Sequence, residues 1–169
     1  MATLRQQTLW KLPPIEKDIV YTQDNVAKSI IDWIKPSGKC LDPCKGDGAF
    51  LRHLPAGSDW CELREGKDFF DYNTKVDYII GNPPYSIFKD WLRHSFEIAM
   101  DVVYILPTNK VFQRQIIMEM IRNWGGVKGI MVYGSGSVVG FPFGFSTGTF
   151  HFRKEYKGLC DLRLQGKAI

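Results

Sequence analysis

Leu41-Asp42-Pro43-Cys44-Lys45-Gly46-Asp47-Gly48-Ala49-Phe50 follows Lys39-Cys40 and precedes Leu51-Arg52-His53-Leu54. The stretch reads as a short strand, a glycine turn and a helix start, the local pattern with which α/β sheets bind nucleotide-like ligands at their strand ends. Gly46 and Gly48 let the backbone turn tightly and approach a ligand closely, and the carboxylate of Asp42 at the strand end can accept from a ligand ammonium. Glu62 closes the next apolar stretch, Trp60-Cys61, twenty positions after Asp42. That offset suits an acid gripping both ribose hydroxyls at the tip of the second strand.

Working outward, strand-like runs occur at Cys40 to Asp42, Asp59 to Glu62, Val76 to Ile80, Val102 to Leu106, Gly129 to Tyr133 and Gly148 to Arg153. Helical periodicity lies between them. Ile87, Trp91, Leu92 and Phe96 share a face. Val111, Gln115, Met118 and Ile121 to Arg122 continue the pattern after Thr108, an expected N-cap. Such alternation predicts a mostly parallel sheet with helices on both faces. The short interval between residues 62 and 76 leaves little room for a helix, so that crossover is expected to be abbreviated.

The run Val76 to Ile80 leads through Gly81 into Asn82-Pro83-Pro84-Tyr85. Each proline restricts its predecessor, so the stretch is an extended, stiff turn with its carbonyls fixed in direction. An exocyclic amine on a base or an amide is a poor nucleophile because its lone pair is delocalised. A site for it must hold both hydrogens and draw that pair out of the plane, which the Asn82 side-chain oxygen and the Pro83 carbonyl can do. Tyr85 offers a ring face to a planar substrate. By chance the tetrapeptide arises in on the order of one in a thousand chains of this length.

With these motifs the chain resembles the S-adenosylmethionine-dependent amino-methyltransferases, and within them the N6-adenine DNA methyltransferases. Asp42 to Phe50 looks like their methyl-donor loop, D-P-x-x-G-x-G-x-F, and residues 82 to 85 look like their catalytic motif. Tyr21-Thr22-Gln23 is similar to the segment that packs around the methionine part of the donor, with Gln23 in place of the family's proline. Asp68-Phe69-Phe70 resembles the acidic-aromatic step that holds the donor adenine, the carboxylate accepting from its amino group and Phe69 lying on the ring. The resemblance spans roughly residues 19 to 153. It implies a three-layer Rossmann-like methyltransferase fold, mostly parallel with an antiparallel last strand.

It further implies catalysis by Asn82, Pro83, Pro84 and Tyr85, and a donor held by Tyr21, Thr22, Asp42, Pro43, Gly46, Gly48, Phe50, Glu62, Asp68, Phe69 and Asn82. The cofactor would be S-adenosyl-L-methionine, and the reaction direct in-line methyl transfer with no metal and no covalent intermediate. The favoured acceptor is the N6 amine of adenine in DNA, flipped out of a duplex. RNA bases (adenine N6 or guanine N2) and a protein glutamine amide are the alternatives, and a catalytically inactive nucleic-acid-binding subunit is an alternative of another class.

The 169 residues, 44% hydrophobic and 24% charged, are expected to make one catalytic domain burying about 70% of its unfolded surface. No apolar stretch approaches the ~18 residues of a membrane span, and Arg5, Gln6, Gln7 and Lys11 lack the apolar run of a signal peptide, so a soluble, cytoplasmic protein is expected. Cysteines 40, 44, 61 and 160 fit neither a zinc spacing nor a secreted disulfide framework, which leaves reduced thiols.

Residues 134 to 148 hold five glycines and three phenylalanines. They are either a hairpin whose rings fill the bottom of the core or a lid, with Phe141 and Phe143, that stacks on an extruded base. The net charge is +4. From His151 onward five basic residues face two acidic ones, and Lys89, Arg93, Lys110 and Arg114 follow strand ends, where they can track a phosphate backbone. Gly48 and Asn82 are 34 positions apart and sixteen residues follow Arg153, too few for a separate target-recognition domain. Selectivity is therefore expected to be weak, directed to single strands or RNA, or supplied by a second subunit or a second copy of the chain.

Overall fold

Two apolar clusters, one on each face of a single sheet, organise the chain; the computed structural model describes residues 20–165. Helix α1 (Asp24–Ile34) precedes strands β1 (Cys40–Asp42), β2 (Asp59–Trp60) and β3 (Val76–Gly81). Helix α2 (Phe88–Ile98), strand β4 (Ala99–Pro107), the single turn α3 (Asn109–Phe112) and helix α4 (Gln115–Trp124) follow. Strands β5 (Gly125–Ser135), β6 (Ser146–Lys154) and β7 (Asp161–Leu164) complete the order β2-β1-β3-β4-β6-β5-β7. Strand β6 runs antiparallel to both β4 and β5, and the other neighbouring pairs are parallel.

The layering follows from side-chain alternation. Along β4, Val102, Tyr104 and Leu106 face the cluster that holds Trp91, Leu92 and Phe96 of α2 and Ile117 and Ile121 of α4. Val103 and Ile105 face the cluster that holds Val26, Ala27, Ile30 and Ile31 of α1. Both faces are covered, so Val102 to Leu106 is buried without a break and reads in sequence as an unbroken apolar run. Trp124 stacks on Phe96 at 3.9 Å between ring centroids and donates its indole N–H to the Phe96 carbonyl at 2.8 Å, which ties α4 to α2. Inside that cluster Ser95 and the Tyr104 hydroxyl meet at 2.7 Å, so this fully buried hydroxyl is satisfied.

Several local expectations change. Leu51 to Leu54 forms one turn, with Arg52 donating to the Gly48 carbonyl at 3.0 Å and Leu54 to that of Phe50 at 3.1 Å. Pro55 pushes Leu54 out of the helical region and stops it. Between β2 and β3 there are only two 3-10 turns, Leu63–Glu65 and Phe69–Asp71, so that crossover is indeed abbreviated. Ile87 lies in the 3-10 turn Tyr85–Ile87 before α2 and is exposed rather than on its buried face. Thr108 precedes α3 but its side chain makes no capping bond.

The run from Val111 to Arg122 breaks between Phe112 and Gln115, and the buried face of α4 is Ile117 and Ile121, with Met118 exposed. β7, which pattern alone does not reveal, lies beside β5 with every residue exposed, too polar on average to register as a buried strand. Among the described residues no helix is long and apolar enough to cross a membrane.

Leu92 is fully buried between α2 and the sheet. Leu92→Ala is expected to lower stability by about 2–5 kcal/mol in urea unfolding, and a loss under ~0.5 kcal/mol would mean this face of the sheet is not packed as described.

Candidate active site

β1, β2, β3 and β4 are parallel, so their carboxyl ends lie along one edge of the sheet. β1 sits between β2 and β3, and the chain passes first to one side of it and then to the other, which opens a crevice at its end. Asp42 ends β1, Glu62 follows β2, and Asn82 follows β3, so the three strand ends deliver these residues side by side. Gly81 makes the approach possible: a Cβ there would stand 3.0 Å from Pro43 Cδ and 3.2 Å from Asp42 Oδ1.

The glycine turn is built as the sequence predicts. Gly46 and Gly48 have φ of +54° and +86°, values costly for any residue with a side chain. Gly46 N–H donates to Glu62 Oε2 at 2.9 Å, and Arg64 N–H donates to Glu62 Oε1 at 3.2 Å. Each Glu62 oxygen thus keeps a lone pair for a ligand hydroxyl. The ring of Tyr21 lies over Gly46, and its hydroxyl accepts from Arg64 at 3.2 Å. Phe50 is buried in the α1-side cluster, where it supports the turn from below.

Two buried oxygens here have no partner among the described residues: Asp42 Oδ2 and Thr22 Oγ1. Asp42 is fully buried, and its other oxygen accepts only a long contact of 3.3 Å from the Cys44 N–H. Burial pushes its carboxyl up to about 7, with the negative charge of Glu62 adding to the effect.

Asn82 is held from three sides. Its side-chain N–H donates to the Val20 carbonyl at 2.8 Å, its Oδ1 accepts from the Tyr85 hydroxyl at 2.7 Å, and its main-chain carbonyl accepts from the Cys44 thiol at 2.9 Å. Pro83 is buried and Pro84 half-buried in extended backbone at φ −65°, ψ 120°. Tyr85 is 9% exposed, with the Phe143 ring at 6.1 Å and 75° to its own.

Other sequence-predicted residues fall elsewhere. Phe69 is buried against Trp91 at 4.5 Å and His94 at 4.8 Å, so it fills the core and offers no face to a ligand. Asp68 caps the following turn by accepting from Phe70 N–H at 3.0 Å. Phe141 is 3% exposed and belongs to the α1-side cluster, so it too is withdrawn from any contact with a partner. Phe143 is half-buried, and the exposed ring of this loop is Phe145, 5.9 Å from Phe143.

Lys89 lies in the first turn of α2, Arg93 one turn on and bonded to Asp90 at 2.9 Å, Lys110 in α3 and Arg114 exposed before α4. The basic end of the chain is elsewhere. Arg153 and Lys154 end β6 at the opposite edge of the sheet, where Arg153 donates to buried Asp101 at 2.8 Å, and Arg163 pairs with Asp161 at 2.9 Å. Lys167 lies outside the described residues. Cys44, Val20 and Gly81 were missed as site residues, since their roles depend on contacts across the chain.

The fold is that of the S-adenosylmethionine-dependent methyltransferases. No protein-family model matches the chain, and no curated protein sequence does. Among solved structures, one assigned as a class I S-adenosylmethionine-dependent methyltransferase from Listeria monocytogenes is similar with a TM-score of 0.63 and 13% identity, over 92% of this chain and 68% of that one. A protein from Pyrococcus horikoshii assigned as an RNA methyltransferase is similar at 0.64 and 16%, over 90% of this chain and 99% of that one. A modification subunit assigned to a type I restriction enzyme from Vibrio vulnificus is similar at 0.61 and 13%, and the chain spans 90% of itself but only 49% of that subunit.

The carboxyl of Asp42 is pushed up from 3.8 to about 7, so the folded state holds a proton that the unfolded chain releases at lower pH. Asp42 therefore contributes a destabilisation that is absent below about pH 4 and grows as pH rises through about 7. Asp42→Asn is expected to raise the melting temperature of the ligand-free protein at about pH 8 and to leave it unchanged near pH 4. Equal shifts at both values would place the carboxylate in water.

Proposed function

We propose that the chain transfers a methyl group from S-adenosylmethionine to an exocyclic amine, with the N6 of adenine in DNA as the favoured acceptor. The observation that carries this reading is that Asp42 and Asn82, from motifs far apart in sequence, share one crevice bridged by Cys44. The unpartnered Asp42 Oδ2 suits the donor's ammonium, and unpartnered Thr22 Oγ1 suits its methionine carboxylate or amine. Glu62 takes the ribose hydroxyls, Asp68 the adenine amino group, and Pro43, Gly46 and Gly48 keep the backbone close to the donor.

The donor supplies a sulfonium methyl, an electrophile strong enough that positioning accounts for most of the acceleration. An amide oxygen has two lone pairs. Tyr85 occupies one on Asn82 Oδ1, and the second is left for one amine hydrogen, with the Pro83 carbonyl for the other. The nitrogen lone pair then points at the methyl: the N–C bond forms as the S–C bond breaks, and the extra amine proton passes to solvent. Asn82 cannot rotate its amide freely, because its N–H is fixed on Val20. Tyr85 stacks on the base, for which Phe143 must move aside.

Recognition of the acceptor falls to the rim of the same edge. Phe145 and Phe112 are exposed there, with Lys89, Lys110 and Arg114 on the neighbouring segments. Exposed rings next to cations are the pattern of single-strand binding, which stacks bases with little regard to sequence. A base in RNA is the second reading for this reason, and a second subunit or second copy would add selectivity. An inactive binding subunit is disfavoured by the unpartnered oxygen kept on Asp42.

Asn82→Ala is expected to keep its affinity for S-adenosylmethionine by calorimetry while turnover falls about 10²–10³-fold; normal turnover would mean the amine is held elsewhere. Asp42→Asn is expected to weaken donor binding at least about tenfold. Mass spectrometry of DNA, RNA and protein extracts after incubation with the donor identifies the acceptor, and product on glutamine alone would remove the nucleic-acid reading.

A further inference from the structure

We propose that Cys44 is a positioning residue of the amine clamp: its thiol, donating to the main-chain carbonyl of Asn82 at 2.9 Å, fixes the Asn82–Pro83 peptide plane and with it the direction of the Pro83 carbonyl. This rests on the reading of residues 82 to 85 as an amine clamp, and adds to it a residue from the opposite motif.

Four torsions set where the Pro83 carbonyl points relative to β3: φ and ψ of Asn82 and φ and ψ of Pro83. The ring of Pro83 locks its own φ, and Pro84 confines ψ of Pro83 to extended values. φ of Asn82 is set where the chain leaves β3. Pro83 in turn confines ψ of Asn82 to the broad extended range, and what remains is rotation of the Asn82–Pro83 peptide plane within that range. That peptide has no N–H with which to pin itself, because its nitrogen belongs to Pro83. Its carbonyl is the only handle, and the Cys44 thiol takes it.

The side-chain bonds to Val20 and Tyr85 orient the Asn82 amide but do not fix where in that range the plane sits. The same Cys44 donates its main-chain N–H to Asp42 Oδ1, so one residue touches the donor acid and the acceptor clamp. Burial pushes the thiol well above its ordinary value, which keeps it protonated and a donor at neutral pH. Cys40 differs: its sulfur lies 3.7 Å from the Gly38 carbonyl, a far weaker contact remote from the clamp.

The test compares Cys44→Ala, which removes the donor, with Cys44→Ser, which keeps one. In the ligand-free protein the infrared S–H stretch of Cys44, taken as wild type minus Cys44→Ser, is expected below the position of a free thiol. The side-chain amide resonance of Asn82 is expected to move in Cys44→Ala and return in Cys44→Ser. With S-adenosylmethionine and an adenine-containing single-stranded oligodeoxynucleotide, Cys44→Ala is expected to lose about tenfold in kcat, to hold the donor within twofold of wild type, and to be rescued by Cys44→Ser.

A free-thiol band, an unmoved Asn82 resonance, unchanged kcat in Cys44→Ala, or a Ser variant as impaired as the Ala variant would each overturn the proposal. The band needs no folded Ala variant. If the band and resonance behave as expected but the wild type methylates no amine, the clamp reading fails and takes this role of Cys44 with it. If the wild type methylates and Cys44→Ala matches it, only the positioning role fails.

Discussion

A carboxylate buried at the end of an interior strand, without a full set of partners among the described residues, is the constraint on which the rest of this site depends. Asp42 is fully buried, flanked in its own strand by Leu41 and Cys40, which are buried to the same degree. Packing alone would put another apolar side chain there, since an isolated buried charge is expensive and such a group tends to neutralise instead. Its carboxyl is accordingly pushed up to about 7, by burial first. The chain keeps this group and arranges its neighbours around it: Gly81 leaves room at the end of β3, and Cys44 gives one long N–H contact while Oδ2 is left unpaired. On the proposed function, an acid held half-satisfied is poised for the donor's ammonium.

Around that acid, side chains that can serve a ligand also shape the loops that carry them. Glu62 closes the Arg64 turn with one oxygen and grips the Gly46 N–H with the other. Asp68 caps the Phe69 turn. Asn82 is anchored to Val20 while receiving the Tyr85 hydroxyl. Groups fixed in this way need little reorganisation when a ligand arrives, which is where electrostatic catalysis gains most. The same economy explains why the crevice walls come from four separate segments, residues 20–22, 42–46, 62–68 and 82–85, each tied to another by at least one of these bonds.

What was legible in the sequence is what the local backbone dictates. Val102 to Leu106 reads as a strand because both faces of the sheet are covered, so every side chain there is buried, and Val76 to Ile80 breaks the apolar run only at the exposed Asp77. The glycine turn and the Asn-Pro-Pro-Tyr bend were readable because positive φ and proline geometry act within a few residues. Roles decided by contacts between distant segments were not. Nothing local distinguishes Phe69, which packs on Trp91, from half-buried Phe70, or Phe141 from Phe145. Leu51 to Leu54 has a helical pattern that Pro55 truncates, and β7 pairs with β5 while burying nothing that a pattern could detect.

Charge distribution shows why a count along the chain misleads. The basic excess after His151 looked like a binding strip, yet β6 carries Arg153 away from the crevice to the far edge of the sheet, where buried Asp101 holds it together with His151. Arg163 lies over Trp33 and pairs with Asp161. These charges are engaged within the sheet, between interior strands β4 and β6 and along edge strand β7. On the crevice edge the cations are fewer, and rings take their place: Tyr85, Phe143 and Phe145 follow one another at about 6 Å, from the clamp to the surface. A partner approaching along that line meets aromatic faces first and a thin scatter of cations beside them. On the proposed function, this makes stacking rather than phosphate neutralisation the main term in acceptor binding, and stacking is indifferent to sequence. Weak selectivity of the isolated chain then follows from the surface it presents at the mouth of the site.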